Sequence, residues 1–424
     1  MNITSMEDPV TKSTASIPFH VSDQSVAMAR GRKFLSEEDK QKMLQARQYG
    51  ELLKERTGHH LLLTAHRGTG PTSVFGPTFP DTYRPENSLA AIRAAILQGA
   101  DAIEIDVFKS KDGKVMVTHD DEIWRNEFGA DRSGANLPAG ETKASYLVGN
   151  KTIDELRNIA IGRDGETMPT LSDVMTLVSD ANLTLAQYGK NPILLNIELK
   201  DGEAVSAILD LVADGATESD TVPLDHIVFC SFKHDALREL KAQAEQRGMQ
   251  GINIAPGIKT ADLFGKDNMN PDFSLKDSNA KYHPDAINNL RALVEGNGFQ
   301  GYDGILWDLR EPIVELAASG GKALHASTSD FRQYGDNRDF SLVLLELSKR
   351  VETFFKCDNV DDARKVLLES SILMSGIGIQ MMHKLSPEGD DCFYFYRPND
   401  QQDSSTLLQT GAKKPIPYSK LRRD

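Results

Sequence analysis

The sequence predicts an α/β chain of TIM type, a (β/α)8 barrel, and three observations carry that expectation. Eight short apolar runs lie between Leu61 and Thr328, helix-like segments follow most of them, and the runs themselves are nearly continuous in hydrophobicity. Strands that are apolar on both faces belong to parallel sheets covered by helices, whereas a sheet with one wet face alternates apolar and polar residues. A length of 424 residues suits one barrel of about 250 residues with appendages.

In chain order, residues 1–32 are rich in Ser, Thr, Asp and Pro without periodicity and read as a flexible leader. The next segment, 33–57, contains FLSEEDKQKMLQARQYGELLKER, a helix pattern with Ser36 as N-cap and Glu37, Glu38 and Asp39 in the first turn, where they favour the helix dipole. It is expected to pack on the outside of a barrel spanning 58–330. The barrel strands are read as LLLTAH, DAIEIDV, KVMVTH, PILLNIELK, HIVFCSF, GINIAP, DGILWDL and KALHAST. Its helices are SLAAIRAAILQ, AVSAILDLVA, HDALRELKAQAEQ, DAINNLRALVE and PIVELAAS. One link departs from this scheme. Only FKSKDGK joins Val107 to Val115, and a parallel crossover takes roughly a dozen residues or more. The Asp112-Gly113 turn therefore suggests a local hairpin that distorts the barrel near its second and third strands. Residues 331–385 read as a helical C-terminal part, including SLVLLELSKRVETFF and ARKVLLESSILM, and 386–424 as a tail in which CFYFYRP is a strand or docking segment.

Composition excludes several function classes. With 39% hydrophobic and 26% charged residues the chain can bury a large core. A net charge of -14 opposes nucleic-acid binding, which relies on Lys and Arg neutralising phosphates. Cys230, Cys357 and Cys392 show no zinc-ligand spacing, and their odd number points to a reduced compartment. No run of about eighteen apolar residues predicts a transmembrane segment, and the N-terminus lacks a secretory pattern. The expected location is cytoplasmic, with uncleaved secretion through the polar leader as the other route.

The chemistry is read from parity. Alternate residues of a strand share a face, and in a barrel one face points at the axis. In IEIDV, Glu104 and Asp106 share a face opposite Ile103, Ile105 and Val107, which puts two carboxylates about 7 Å apart along one strand. In LLNIELK, Asn196, Glu198 and Lys200 likewise oppose Leu195, Ile197 and Leu199. Burying a carboxylate is costly unless it is paired or bound to a metal, so two such strands imply either a salt-bridge network with Arg67 and Lys200 or a functional site. His66 and His119 end the first and third predicted strands, at the barrel end that carries active sites. Three hard oxygen donors favour Mg²⁺ or Ca²⁺ over zinc, which leaves the imidazoles free for proton transfer. Arg67 and Lys200 would hold an anionic diester. Phosphodiester cleavage needs these parts: a cation, a base and an acid.

At these residues the sequence resembles the glycerophosphodiester phosphodiesterase (GDPD) family. The matching blocks are AHRG at 65–68, RPENSLAAIRAAILQGAD at 84–101, IEIDVFKSKDGKVMVTHD at 103–120, MPTLSDVM at 168–175, LLNIELK at 194–200 and CSFKHDALREL at 230–240. The resemblance implies a metal held by Glu104, Asp106 and Glu198, an acid/base pair of His66 and His119, and phosphate contacts from Arg67 and Lys200. Glu86 and Asn87 fall in the family's PEN turn and are expected to support the site, although Asn87 also suits a helix N-cap. The chain departs from the family in two insertions, 69–84 and 121–167, expected beside the site. KALHAST stands where the family carries a tryptophan-containing WTVN-like segment, so His325 either faces the site or lines the barrel, and Trp307 offers either an apolar wall or core.

The expected function is hydrolysis of a glycerophosphodiester-like or lysophospholipid-like substrate to an alcohol and a phosphomonoester. Two alternatives are a phosphodiester transferase or synthase acting on sugar phosphodiesters, as in agrocinopine synthase, and a catalytically silent barrel binding a phosphorylated ligand. A partner protein engaging the terminal extensions is a further reading.

Overall fold

The computed structural model describes residues 35–377, apart from 59–60, 72–83, 129–132, 163–164, 216–221, 272–274, 278–279 and 328–337, together with three short strands at 381–385, 391–395 and 416–417. The leader expected over 1–32 and most of the segment 69–84 lie outside the described residues. The elements run α1 (Glu37–Thr57), β1 (Leu61–His66), α2 (Leu89–Leu97), β2 (Ala102–Lys109), β3 (Val115–Val117), α3 (Ile123–Asn126), α4 (Ile153–Arg157) and α5 (Leu171–Gln187). Then follow β4 (Leu194–Leu199), α6 (Val205–Gly215), β5 (Ile227–Ser231), α7 (His234–Gln246), β6 (Asn253–Ile258), α8 (Thr260–Phe264), α9 (Ala286–Val294), β7 (Gly301–Ile305) and α10 (Glu311–Ser319). The chain ends with β8 (Ala323–Ser327), α11 (Arg338–Arg350), β9 (Thr353–Cys357), α12 (Val360–Ile377), β10 (Met381–Leu385), β11 (Asp391–Phe395) and β12 (Ile416–Pro417).

Eight parallel strands close a TIM barrel in the order β1-β2-β4-β5-β6-β7-β8-β9, with β9 hydrogen-bonded back to β1. These are not the eight runs expected from sequence. KVMVTH supplies β3, which pairs antiparallel with β2 (Val107 opposite Val117) and stands outside the ring, as the Asp112-Gly113 turn suggested. The place of the eighth strand is taken by Thr353–Cys357, with Leu61 opposite Thr353 and Ser327 opposite Lys356. The barrel thus extends past residue 330, and the helix read through SLVLLELSKRVETFF stops at Arg350. Val351, Thr353, Phe354 and Phe355 are β-branched or aromatic and suit a pleated, covered strand.

The inward faces form an apolar floor and a polar layer above it. Leu62, Ala102, Leu194, Val228, Ala255, Ala323 and Phe354 pack together at the N-terminal end of the barrel. Two residues further along most of these strands come Thr64, Glu104, Asn196, Cys230, His325 and Lys356, all buried. The outward faces, including Ile103, Ile105, Leu195, Ile197, Phe229 and Ile254, pack under the helices in one continuous core.

Helix α1 carries the capping box Ser36/Asp39 and docks on the barrel wall. Arg47 and Lys54 both reach Asp101, and α1 crosses Gly99 so closely that a Cβ there would meet Ala46 at 2.9 Å. Two strong cations hold Asp101 down at about 2 against its burial. The segment 121–167 contributes α3, α4 and a small core of Met116, Ile123, Trp124, Tyr146, Val148, Leu156 and Met168 beside the β2–β3 hairpin. At the C-terminus β10, β11 and β12 form a separate antiparallel sheet. No helix among the described residues is long and apolar enough to cross a membrane.

Candidate active site

The C-terminal ends of β1, β2 and β4 bring the sequence-predicted residues together. Glu104 and Asp106 from β2 and Glu198 from β4 each present a carboxylate oxygen, and these oxygens lie within 4.8 Å of one another. The parallel register makes this possible by setting Asp106 beside Glu198 and Glu104 beside His66. All three acids are buried.

Both cations lean on these acids. Lys200 Nζ lies 3.1 Å from Asp106 Oδ1 and also binds Glu198. The Arg67 guanidinium bridges Glu86 at 3.0 Å and Asp106 at 3.4 Å. Although burial opposes its charge, the Lys200 ammonium is held well above its usual range by Asp106 and Glu198. Burial also works against ionised Asp106, but Lys200 and Arg67 outweigh it and keep that carboxyl far below the normal range. Glu104 moves the other way. Burial, together with the charges of Asp106 and Glu198, pushes it well above an ordinary carboxyl despite Lys356. Of the two acids on β2, Glu104 is the one that takes a proton first.

The local backbone is bent to serve this cluster. Arg67 adopts φ 52 and Gly68 φ 86, and a Cβ on Gly68 would strike the Ala91 backbone at 2.7 Å, so the turn after β1 lies tight against α2. In that conformation the Arg67 amide donates to Glu104 Oε2 at 3.0 Å. Asn87 is also left-handed, with φ 59. Its side chain donates to Asp106 Oδ2 at 3.0 Å and accepts from the Asp106 amide at 3.3 Å, while its own amide donates to Arg67 O. The N-cap of α2 is Ser88, not Asn87. A non-glycine residue at positive φ costs about 1 to 3 kcal/mol and persists where neighbours dictate it, as the shared bonding of Asn87 and Asp106 does here.

The histidines flank the cluster in different settings. His66 Nδ1 donates to Asp358 Oδ1 at 2.8 Å, which turns Nε2 away from that carboxylate. Burial, then the Arg67 and Lys356 cations, push the His66 imidazole well below its ordinary range, so it is neutral at pH 7 even with Asp358 beside it. His119 follows β3 and pairs with Asp120 at 3.1 Å; its side chain is 28% exposed against 14% for His66.

Several members of the site escaped the sequence reading. Lys356 lies in the strand read as helix, and Asp358 directly follows it. Within TFFKCD, Phe354, Lys356 and Asp358 alternate with Thr353, Phe355 and Cys357, the same signal that exposed Glu104 and Asp106. Lys356 Nζ lies 3.8 Å from Glu104 and 3.7 Å from Asp303 of β7. Trp307 belongs to the core. His325 lines the barrel, stacked on Phe354 at a centroid distance of 4.5 Å, with burial pushing it down to about 3.

The donor set suits a hard divalent cation. It offers carboxylate oxygens in a buried cluster, and Glu104 Oε1 accepts no hydrogen bond among the described residues, with the Lys356 ammonium 3.8 Å away. The remaining groups are a neutral imidazole, a second imidazole and two cations, which is the equipment for moving protons around an anion.

Comparison with known proteins identifies the family. A model of the glycerophosphoryl diester phosphodiesterase family matches residues 66–330. The chain is 26% identical over 288 residues to a glycerophosphodiester phosphodiesterase of Caldanaerobacter subterraneus subsp. tengcongensis, covering 61% of this chain and 99% of that protein. It is 27% identical over 227 residues to a glycerophosphodiester phosphodiesterase of Bacillus altitudinis, covering 52% of this chain and 74% of that one. A solved structure of a candidate glycerophosphoryl diester phosphodiesterase from Silicibacter pomeroyi shares the fold, with a TM-score of 0.50 at 19% identity over 74% of this chain and 95% of that one.

Proposed function

Since the chain belongs to the glycerophosphoryl diester phosphodiesterase family and is a phosphodiester hydrolase, we propose that it cleaves a glycerophosphodiester-like substrate by proton transfer between His66 and His119 beside a divalent cation. The observation that carries this reading is the convergence of Glu104, Asp106 and Glu198 oxygens within 4.8 Å, between two histidines at the C-terminal end of the barrel. Glu104, Asp106 and Glu198 would hold Mg²⁺ or Ca²⁺, which when bound stabilises negative charge gathering on the non-bridging phosphate oxygens.

The chain's own groups divide the remaining work. His66, kept neutral by burial and by Arg67 and Lys356, is suited to take the proton of the attacking hydroxyl on Nε2, while Asp358 stabilises the imidazolium that results. His119, paired with Asp120, then gives a proton to the departing alkoxide oxygen. Lys200 and Arg67 neutralise the acids until the diester arrives and then share their charge with its phosphate. Glu86 orients Arg67, and Asn87 orients Asp106. The buried free thiols of Cys230 and Cys357 suit the reducing conditions of a cytoplasm.

The test is phosphorus NMR of products formed from glycerophosphodiesters, lysophospholipids and sugar phosphodiesters, with Mg²⁺, Ca²⁺ or EDTA. Turnover is expected to need a divalent cation and to vanish in His66→Ala and Glu104→Ala. A transient cyclic phosphate would identify a hydroxyl of the substrate as the attacking group, and undiminished turnover in both variants would show that the site is elsewhere.

A further inference from the structure

Beneath the carboxylate cluster, four consecutive strands of the barrel turn a polar row inward. On β9, β1, β2 and β4 this row presents Lys356, Thr64, Glu104 and Asn196, with Thr64 opposite Lys356 and Glu104 opposite Asn196 in the parallel register. Thr64, Glu104 and Asn196 are each 2% exposed or less, and Lys356 is 8% exposed. Thr64 Oγ1, Glu104 Oε1 and both amide atoms of Asn196 make no hydrogen bond among the described residues. Lys356 Nζ faces Glu104 Oε1 across 3.8 Å, beyond a direct hydrogen bond but close enough for both to share a third molecule.

The chemistry of these atoms decides what they would hold. The Lys356 ammonium only donates, the Glu104 carboxylate accepts, and Thr64 and Asn196 do both. A cation would face the ammonium and leave the amide hydrogens of Asn196 unpaired, and an anion would face Glu104. A neutral molecule that both donates and accepts satisfies all four. In a barrel interior filled by side chains that molecule is water, which when buried typically makes about three hydrogen bonds to polar groups of this kind. Buried polar atoms without a partner are costly, so the row favours such a bound molecule.

We infer that Thr64, Glu104, Asn196 and Lys356 bind one internal water, and that Asn196, acting through this water, is a positioning residue for Glu104. The positioning role rests on the divalent-cation reading of the carboxylates. Asp106 is gripped by Asn87, Arg67 and Lys200, and Glu198 by Lys200. Glu104, by contrast, accepts a single hydrogen bond among the described residues, from the Arg67 amide at Oε2. A carboxylate oxygen has two lone pairs, so Oε1 can accept from the water on one side and still face the cation on the other. Groups that hydrogen-bond to a ligating carboxylate fix its orientation, and losing one typically weakens ion binding by about 10- to 100-fold.

The experiment counts long-lived internal waters by magnetic relaxation dispersion of the water oxygen in the full-length protein, in Asn196→Leu and in Thr64→Val, and titrates each calorimetrically with Mg²⁺ and Ca²⁺. Both substitutions keep the side-chain size and remove the polar atoms, and thermal unfolding checks that each variant folds. Each is expected to lose one water, and Asn196→Leu to bind the divalent ion about tenfold or more weakly. Asn196→Ser, which keeps a hydroxyl for the water, retains most of the affinity. An unchanged water count in both variants, or Asn196→Leu that binds the ion as tightly as the unmodified protein, overturns the inference. One water lost in each variant with no ion bound by the unmodified protein would uphold the water site and refute the metal reading instead; tight ion binding with no water lost would do the reverse.

Discussion

The substitution Asp358→Asn isolates the charge behind His66. The amide oxygen of the introduced asparagine can still accept from His66 Nδ1 at the observed 2.8 Å, so ring orientation survives and only the negative charge is lost. A hydrogen bond to a charged group contributes about 1.5 to 3 kcal/mol against about 0.5 to 1.5 for a neutral one, a difference near 1 to 1.5 kcal/mol. Side-chain exposures of 14% for His66 and 8% for Asp358 leave little water to screen it. If that difference is felt when the imidazolium forms, the plateau of kcat/KM falls about tenfold. The pH profile adds a sign. Asp358 favours protonated His66, so removing it lowers an imidazole already below its ordinary range, and the acidic limb moves to lower pH as the plateau drops. Asp358→Ala, which loses orientation as well, costs more than Asp358→Asn. An unchanged plateau, or an acidic limb that moves upward, would refute His66 as the base held by Asp358.

Three other outcomes follow from the geometry. Lys200→Met leaves Asp106 and Glu198 without their ammonium in a buried site and is expected to destabilise the cation-free protein by about 3 kcal/mol, with Mg²⁺ or Ca²⁺ raising Tm more in the variant than in the unmodified protein; thermal unfolding with and without the ion reads this. Asn87→Ala loses two bonds to Asp106 and puts an alanine in a left-handed backbone, whereas Asn87→Gly loses the same bonds without the backbone cost, so both are expected to lower kcat while only the Ala variant adds a further stability loss of about 1 kcal/mol. A chain ending at residue 330 lacks β9, which stands between β8 and β1, and is expected to show no cooperative unfolding transition by circular dichroism.

The carboxylate cluster was legible where parity alone could speak. Glu104, Asp106 and Glu198 interrupt otherwise apolar strands on one face, and nothing but burial in a barrel gives that alternation meaning. The closing strand was hidden by its neighbour. Apolar residues of SLVLLELSKRV keep helical spacing up to Val351, and a five-residue strand following directly is too short to break that rhythm. With β9 unread, Asp358 and Lys356 were unread too, and β3 made up the count of eight runs because an antiparallel hairpin arm is as apolar as a barrel strand. The assignment of Arg67 and Lys200 to phosphate could not include their partners, since Glu86 and Asp106 meet them only through the turn after β1 and the register of β2 with β4.

The carboxylate cluster is the centre of the account, and calorimetric titration of the EDTA-stripped, full-length protein with Mg²⁺ and Ca²⁺ tests it directly. One ion per chain is expected, with binding lost in Glu104→Gln and in Asp106→Asn and with restored phosphodiesterase activity following the same isotherm. Activity that persists in EDTA, or Glu104→Gln that binds the ion as the unmodified protein does, would contradict it.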